Sequence, residues 1–277
     1  MPTKSGKRST PTGTDARHLA PHLARSIARS LDLPPTLLPH VSALFDGMHS
    51  LGSSPGEVAR MLKRAGVTPG ARVLDLACGK GGTGVEISRR LGARVLGVDA
   101  CPEFIVAAKA LSANTGVHAL CRFQVGDVRK FRTPRPFDVA IMLGLFGVEH
   151  AAPLLRSLIT PGGLYLLDDA FRAGRVGPTK DMEMYADVPT LPESRQVFAA
   201  LGDEIIEELV PTRQETSILN QRLLKRIIAR CGRLRKSNPE LTPALDDFVR
   251  RQHDGNTLLQ GPIRPGVWVV RKRSAQP

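Results

Sequence analysis

The sequence predicts an α/β protein on a doubly wound sheet, with helices ahead of the sheet and a helical insertion before its last strand. Three observations carry this. The runs "ARVLDLAC", "ARVLGVDA", "CRFQVGD", "FDVAIMLG" and "GLYLLDD" alternate with helical patterns between residues 71 and 169. They are apolar throughout rather than on alternate positions, as in strands covered on both faces by helices. A glycine-rich turn, "GKGGTG" (79–84), joins the first of these strands to the helix after it. Acids recur along the strands, with Asp75 in the first, Asp99 ending the second and Asp127 following the third. Ligands of such sheets lie at the carboxyl ends of the strands.

The elements follow in order. Residues 1–16 read as a disordered basic tail, lacking the apolar core of a signal peptide. Leu19, Leu23, Ile27 and Leu31 have helical spacing and stop at Pro34-Pro35. Ser54-Pro55-Gly56-Glu57 has the form of a capping box, opening a helix with the stripe Val58, Met61, Leu62, Ala65 that ends at Gly66. Helices are predicted over 102–113 and 151–159. After a Gly/Pro-containing loop (170–192) come a helix and a sixth strand, "EIIEELV". A basic helical stretch precedes the seventh, "GVWVVRKR". The chain therefore divides into the tail (1–16), N-terminal helices (17–66), a ligand-binding core (67–212), a helical insertion (213–262) and the final strand and tail (263–277).

Composition narrows the class of function. With 277 residues and 42% hydrophobic residues, the chain can bury a large core. Its four cysteines show no metal or disulfide spacing, and no apolar run reaches a membrane span, so a reduced, cytoplasmic setting is expected. His18 and His22 are four apart, but Pro21 and the lack of a third ligand make them surface residues, and no metal is expected. The net charge of +13 belongs to the flanks: residues 1–30 carry six Lys/Arg against one acid, residues 213–277 fourteen against five. Such flanks suit nucleic acid or another anionic partner, and equally a solvated surface. Aromatics at 4% leave few platforms for stacking bases.

The turn admits two cofactors. Counted from Gly79, it matches GxGxxG, the dinucleotide fingerprint; counted from Asp75, it is D-x-A-x-G-x-G. Glycines and a helix N-terminus serve either ligand. A pyrophosphate gains nothing from a carboxylate just before the turn, whereas the ammonium and sulfonium of S-adenosylmethionine do. Asp99 is placed to accept hydrogen bonds from both ribose hydroxyls. In this arrangement Gly84 is a helix residue, not a third fingerprint glycine. These residues resemble the class I S-adenosylmethionine-dependent methyltransferases, over about residues 55–170 and more loosely over the whole chain. The resemblance implies a Rossmann-like seven-stranded sheet. It implies that Asp75, Ala77, Gly79 and Gly81 surround the methionine part of the cofactor, Asp99 holds the ribose and Asp127 meets the adenine amino group. Cys78, Ala100, Val128 and Leu143 complete the implied cofactor site. "TPGG" (160–163) is also similar to the family; Ala77 departs from it, standing where the family usually has Gly.

Methyl transfer is an in-line displacement, needing a placed nucleophile, dry surroundings and at times a general base. The loop "GLFGVEHA" after strand four lacks the motifs of amino-methylating DNA enzymes, of pyrimidine carbon-5 enzymes and of protein-arginine methyltransferases. A small-molecule acceptor, acidic or lipid-like, is the resulting expectation, with methyl going to oxygen, nitrogen or carbon and S-adenosylhomocysteine as the other product. Candidate bases are His150, Glu149 and Asp168, although Glu149 also suits a helix start. Phe146, Asp169 and Tyr185 are candidate substrate contacts, Tyr185 lying with Met182 and Met184 in "TKDMEMYAD". Ile218, Leu219, Leu223, Leu224, Ile227 and Ile228 form the apolar face of a basic helix expected to cap the cleft together with the 170–192 loop. The basic helix, "NPE" and "RRQHD" before the last strand resemble a bacterial-type branch of small-molecule methyltransferases. Two alternatives stand beside this: an RNA or protein methyltransferase using the basic flanks, and an NAD(P)-dependent oxidoreductase.

Overall fold

The computed structural model describes residues 19–173 and 188–274. Seven strands form one sheet in the order β3-β2-β1-β4-β5-β7-β6. They are β1 (Arg72–Leu76), β2 (Arg94–Asp99), β3 (Cys121–Val125), β4 (Phe137–Met142), β5 (Ile159–Arg172), β6 (Glu204–Leu209) and β7 (Ile263–Arg271). The β1 to β5 strands pair in parallel, while β7 runs antiparallel to both β5 and β6. The sequence order reverses between β1 and its neighbours β2 and β4, and this switch point opens a crevice above β1. The antiparallel seventh strand lies outside what the apolar runs specify, because a strand buried on both faces reads alike in either direction.

Helices cover both faces: α3 (Pro55–Arg64), α4 (Gly82–Leu91), α5 (Pro102–Asn114), α6 (Val148–Ser157) and α7 (Leu191–Ala200). Two apolar cores result, one holding Val73, Ile87, Ile141 and Val269, the other Leu74, Ala140, Tyr165 and Trp268. Strand neighbours Val73 and Leu74 point to opposite faces, as the two-residue period of a strand requires. A third core sits above the crevice. It joins α1 (Pro21–Ser30) and the short α2 (Val41–Leu44) to the insertion helices α8 (Arg213–Ser237) and α9 (Thr242–Gln260).

Several local expectations are corrected. Ser54 makes no side-chain cap to α3; the Glu57 N–H donates to the Ser54 carbonyl, and the Glu57 side chain pairs with Arg60 and Arg64. Capping boxes close at Thr190–Glu193 and Thr212–Glu215, satisfying the free N–H groups that open α7 and α8. Strand five begins at Ile159 and takes in "TPGG", with a register shift opposite Phe137–Val139. The buried face of α8 is Thr216, Leu224, Ile227, Cys231 and Leu234, whereas Ile218, Leu219 and Ile228 are exposed. Of the apolar face read from the sequence, Leu224 and Ile227 are buried, and the buried stripe continues through Cys231 and Leu234. All four cysteines are free and buried. Among the described residues, no helix is long and apolar enough to cross a membrane and no side-chain group could hold a metal ion.

Phe248 of α9 is fully buried and meets Phe45 edge-on at 6.1 Å; Phe45 in turn meets Phe104 of α5 at 6.4 Å. This aromatic chain makes the N-terminal helices, the insertion and the sheet one packing unit. Phe248→Ala is expected to cost about 3–5 kcal/mol in urea unfolding, with one transition retained. A cost below about 1 kcal/mol, or a separate early transition, would show the insertion to be independent.

Candidate functional site

The carboxyl end of β1 leads into a backbone turn built from left-handed conformations. Ala77 has φ 57°, Gly79 φ 53° and Gly81 φ 78°. Ala77 is an alanine held where glycine is unstrained, at a cost of roughly 1 kcal/mol. At Gly81 a side chain would also strike Ala108 at 2.8 Å and the Phe123 ring at 3.0 Å. Gly84 lies inside α4, and a Cβ there would come within 2.9 Å of Val95. Gly84 thus serves helix–sheet packing, as the spacing of the acids implied.

Above this turn is a cavity of about 280 Å³, close to the lower end of small-ligand sites. Its floor is the turn (Ala77 to Lys80, Thr83) with Asp99 and Ala100 after β2. One side is formed by Asp127, Val128 and Arg129 after β3 and by Leu143 to Leu145 after β4. The opposite wall comes from α1 and from residues 48–53. The helical insertion does not line it. Instead Arg226 donates to the Gly47 carbonyl at 3.0 Å and Arg230 to the Asp46 carbonyl at 2.9 Å, so α8 braces the wall from behind. The 170–192 loop falls largely outside the described residues, as do Met182, Met184 and Tyr185.

The wall is stapled to the turn at two points and to β5 at a third. The Gly82 N–H donates to the His49 carbonyl at 3.2 Å. Lys80, itself buried, donates its ammonium to the Phe45 carbonyl at 2.6 Å and sits 5.4 Å from the centre of the Phe104 ring. Ser53 Oγ donates to Asp168 at 2.6 Å, and the other Asp168 oxygen accepts the Gly144 N–H at 2.7 Å. Asp168 therefore ties residues 50–53 to the loop after β4 and does not itself line the cavity. Asp169 accepts from Val148 N–H at 2.8 Å and caps α6. Glu149 and His150 pair with each other at 3.0 Å on the surface, their side chains 54% and 76% exposed, and neither reaches the cavity. Phe146 lines a neighbouring vestibule.

The acids divide by depth. Asp99 lines the cavity with both oxygens anchored, Oδ2 accepting from Gly79 N–H and Oδ1 from Cys101 N–H, each at 2.8 Å. Anchored in this way, the carboxylate is held with acceptor capacity towards the cavity. Asp127 also faces the cavity, its Oδ1 accepting the Arg129 N–H at 3.1 Å. Asp75 does not line it. It lies beneath the turn, 2% exposed, with Oδ2 lacking a formed hydrogen bond. Burial above all, and then the charge of Asp99, pushes the Asp75 carboxyl up to about 7. Burial also raises Asp99 and Asp168, and carries Asp169 to about 6. Asp75 acts as a buried acid under the floor rather than as a contact; a sequence marks an acid in a strand without telling which side of the turn it occupies.

One residue of the lining escaped the sequence reading. His49 lies in the cavity wall, and burial, then Lys80 and Arg226, lower its pKa. Its imidazole is neutral at neutral pH and able to take a proton. Nothing around "MHSLG" marks it in the sequence, since it arrives from an irregular segment.

The chain's similarities agree with this geometry. Residues 73–163 match the family described as "Methyltransferase domain". A ubiquinone biosynthesis O-methyltransferase of Xanthomonas campestris pv. campestris (strain B100) is 38% identical over 103 residues, 36% of this chain and 43% of that protein. The chain thus matches less than half the length of that curated relative. Among solved structures, a SAM-dependent methyltransferase from Geobacter sulfurreducens, in complex with S-adenosyl-L-homocysteine, superposes with a TM-score of 0.74 at 22% identity, covering 84% of this chain and 97% of that one. The cyclopropane synthase MmaA2 from Mycobacterium tuberculosis superposes with a TM-score of 0.68 at 14% identity, covering 92% and 100%.

Two outcomes follow from the geometry. A Cβ on Gly82 would sit 2.3 Å from the His49 carbonyl oxygen, a backbone atom that cannot swing aside. Gly82→Ala is expected to unseat residues 45–53 and speed their amide exchange by about tenfold or more, with the sheet unaffected; unchanged exchange there would show that the contact is not a constraint. The second concerns pH. Burial carries the Asp75 carboxyl to about 7 and Asp169 to about 6, so below those values the folded chain holds protons there that the unfolded chain releases above about pH 4. Stability is therefore full below the unfolded values and lost as pH rises towards 7, with Asp75 alone contributing on the order of 4 kcal/mol. His49 works in the opposite sense, as a single partly exposed group. The melting temperature of the unliganded chain should fall from pH 5 to pH 8; a rise over that window would remove the buried-acid account.

Proposed function

We propose that this chain, whose residues 73–163 form a methyltransferase domain, is a class I S-adenosylmethionine-dependent methyltransferase acting on a small molecule. The observation that carries the reading is the floor of the cavity, where an anchored Asp99 and a second acid, Asp127, face a left-handed glycine turn whose helix end is already occupied. A pyrophosphate would need the N-terminus of α4. There the Gly82 N–H is spent on the His49 carbonyl, and the space beside Gly82 is filled by that same backbone. This disfavours the dinucleotide alternative on charge and on access.

The residues present fit the cofactor. Asp99 would take the ribose hydroxyls, Asp127 and the backbone beside Val128 the adenine edge, Ala100 and Leu143 the faces of the ring. Ala77, Cys78 and Gly79 would bound the methionine end, with Gly81 setting the turn behind them. The bound cofactor would supply an electrophilic methyl group. The chain's own part is to hold an acceptor in line with it, to exclude water with the apolar lining (Leu23, Ile27, Met48, Leu51, Leu145), and to offer His49 as a proton acceptor. In this reading residues 67–212 with the last strand bind the cofactor, and residues 17–66, braced by 213–262, close over it. The named relatives that methylate oxygen in ubiquinone biosynthesis favour an oxygen nucleophile. An RNA or protein substrate gains no support from the site.

Calorimetry with S-adenosylhomocysteine and with NAD on the full chain tests this. S-adenosylhomocysteine should bind and NAD should not. Asp99→Asn should weaken the former by about ten- to a hundredfold, the worth of a charge-assisted hydrogen bond or two. NAD binding in its place would overturn the reading.

A further inference from the structure

Next to the cavity, and sharing Ser26, Ser30, Arg129 and Leu145 with it, opens a vestibule of about 420 Å³. It lies between α1 and the loops after β3 and β4. Arg25 and Arg29, one turn apart on α1, face it together with Arg129 and His22, and none of its lining residues is acidic. Among the described residues, no carboxylate pairs with Arg25 or Arg29, and α1 itself carries no acid. The arginines of α3 and α4 behave otherwise, pairing with Glu57 and Glu86 of their own helices. Like charges at i,i+4 destabilise a helix slightly, so an uncompensated pair is a small standing cost that an anion would remove.

Arg129 is fixed in place. Its Nη2 donates to Ser26 Oγ at 2.7 Å, and its guanidinium lies 5.5 Å from the centre of the Phe146 ring. Its nearest carboxylate, Asp127, is 4.0 Å away and also neighbours His22 at 3.9 Å. The vestibule thus offers guanidinium donors at its rim, an aromatic face below them and Leu145 as the step into the cavity. Guanidinium forks suit carboxylate, sulfonate and phosphate groups, and Phe146 suits an apolar body.

We propose that this vestibule binds the anionic group of an amphiphilic methyl acceptor, held by Arg25, Arg29 and Arg129, while the acceptor's apolar body passes over Phe146 and Leu145 into the cavity. The inference rests on the methyltransferase reading, which assigns the cavity floor to the donor. The same anion chemistry could come from the cofactor's own carboxylate, and the test separates the two sources.

The probes are 1-anilinonaphthalene-8-sulfonate and its uncharged counterpart N-phenyl-1-naphthylamine, followed by fluorescence on the full chain saturated with S-adenosylhomocysteine. The sulfonate should bind about tenfold or more tighter than the neutral probe. In the double variant Arg25→Gln/Arg29→Gln, which alters exposed side chains only, that preference should fall to near parity, with unchanged calorimetric affinity for S-adenosylhomocysteine. A preference absent from the wild type, or surviving the double substitution, would overturn the proposal. A loss of S-adenosylhomocysteine affinity in the variant would also overturn it, giving the arginines to the cofactor's carboxylate. Failure of the wild type to bind S-adenosylhomocysteine would instead remove the methyltransferase reading; the probe comparison, repeated without it, still decides whether the vestibule takes anions.

Discussion

The close approach of residues 45–53 to the glycine turn is the constraint on which the rest of the site depends. Two backbones meet at Gly82 and His49 with no room for a Cβ between them. That contact fixes the distance between the N-terminal helices and the sheet, and so the height of the cavity. The neighbouring staples are polar and partly buried, where a missing partner costs about 1–3 kcal/mol, more than a formed bond gains. Lys80 shows why they persist: buried beneath the cap, its ammonium is held by the Phe45 carbonyl and the Phe104 face. Removing the cap would strand the charge or expose the third core.

The insertion explains how an irregular segment such as 45–53 is held in one conformation. Short loops rarely fix themselves, since ordering each residue costs about 1–2 kcal/mol of backbone entropy. Here Arg226 and Arg230 grip the Asp46 and Gly47 carbonyls, and the aromatic chain Phe104–Phe45–Phe248 anchors the segment from below. Two arginines that look like part of a solvated basic face in the sequence therefore act as backbone clamps. The basicity of the insertion is in part structural, which weakens any case for nucleic acid built on net charge alone.

What was legible in the sequence follows from what is local. The five parallel strands, the turn, the order of the acids and the helix position of Gly84 are set by short-range pattern. The side of the turn on which Asp75 lies, the direction of β7 and the identity of the wall are not, because each depends on residues distant in sequence. Glu149 and His150 illustrate the limit. They follow the strand whose end faces the cavity, yet α6 begins at Val148, its N-terminus is capped by Asp169, and the next two side chains turn out to solvent. His49, in contrast, reaches the cavity from a segment with no periodicity to read.

Charge is segregated across the site in a way that separates its two tasks. The floor carries acids and suits a ligand with hydroxyl and ammonium donors. The outer rim near α1 carries guanidiniums without acids and suits an anion. A floor and a rim of the same sign would leave a cationic donor and an anionic acceptor competing for one surface. With opposite signs at opposite ends, the floor favours cationic and hydroxyl groups and the rim favours anionic ones, and Leu143, Leu145 and Phe146 form an apolar strip between them. Arg129 and Asp127 stand at the boundary, two residues apart in one loop after β3, so the geometry of that single loop sets where the sign changes.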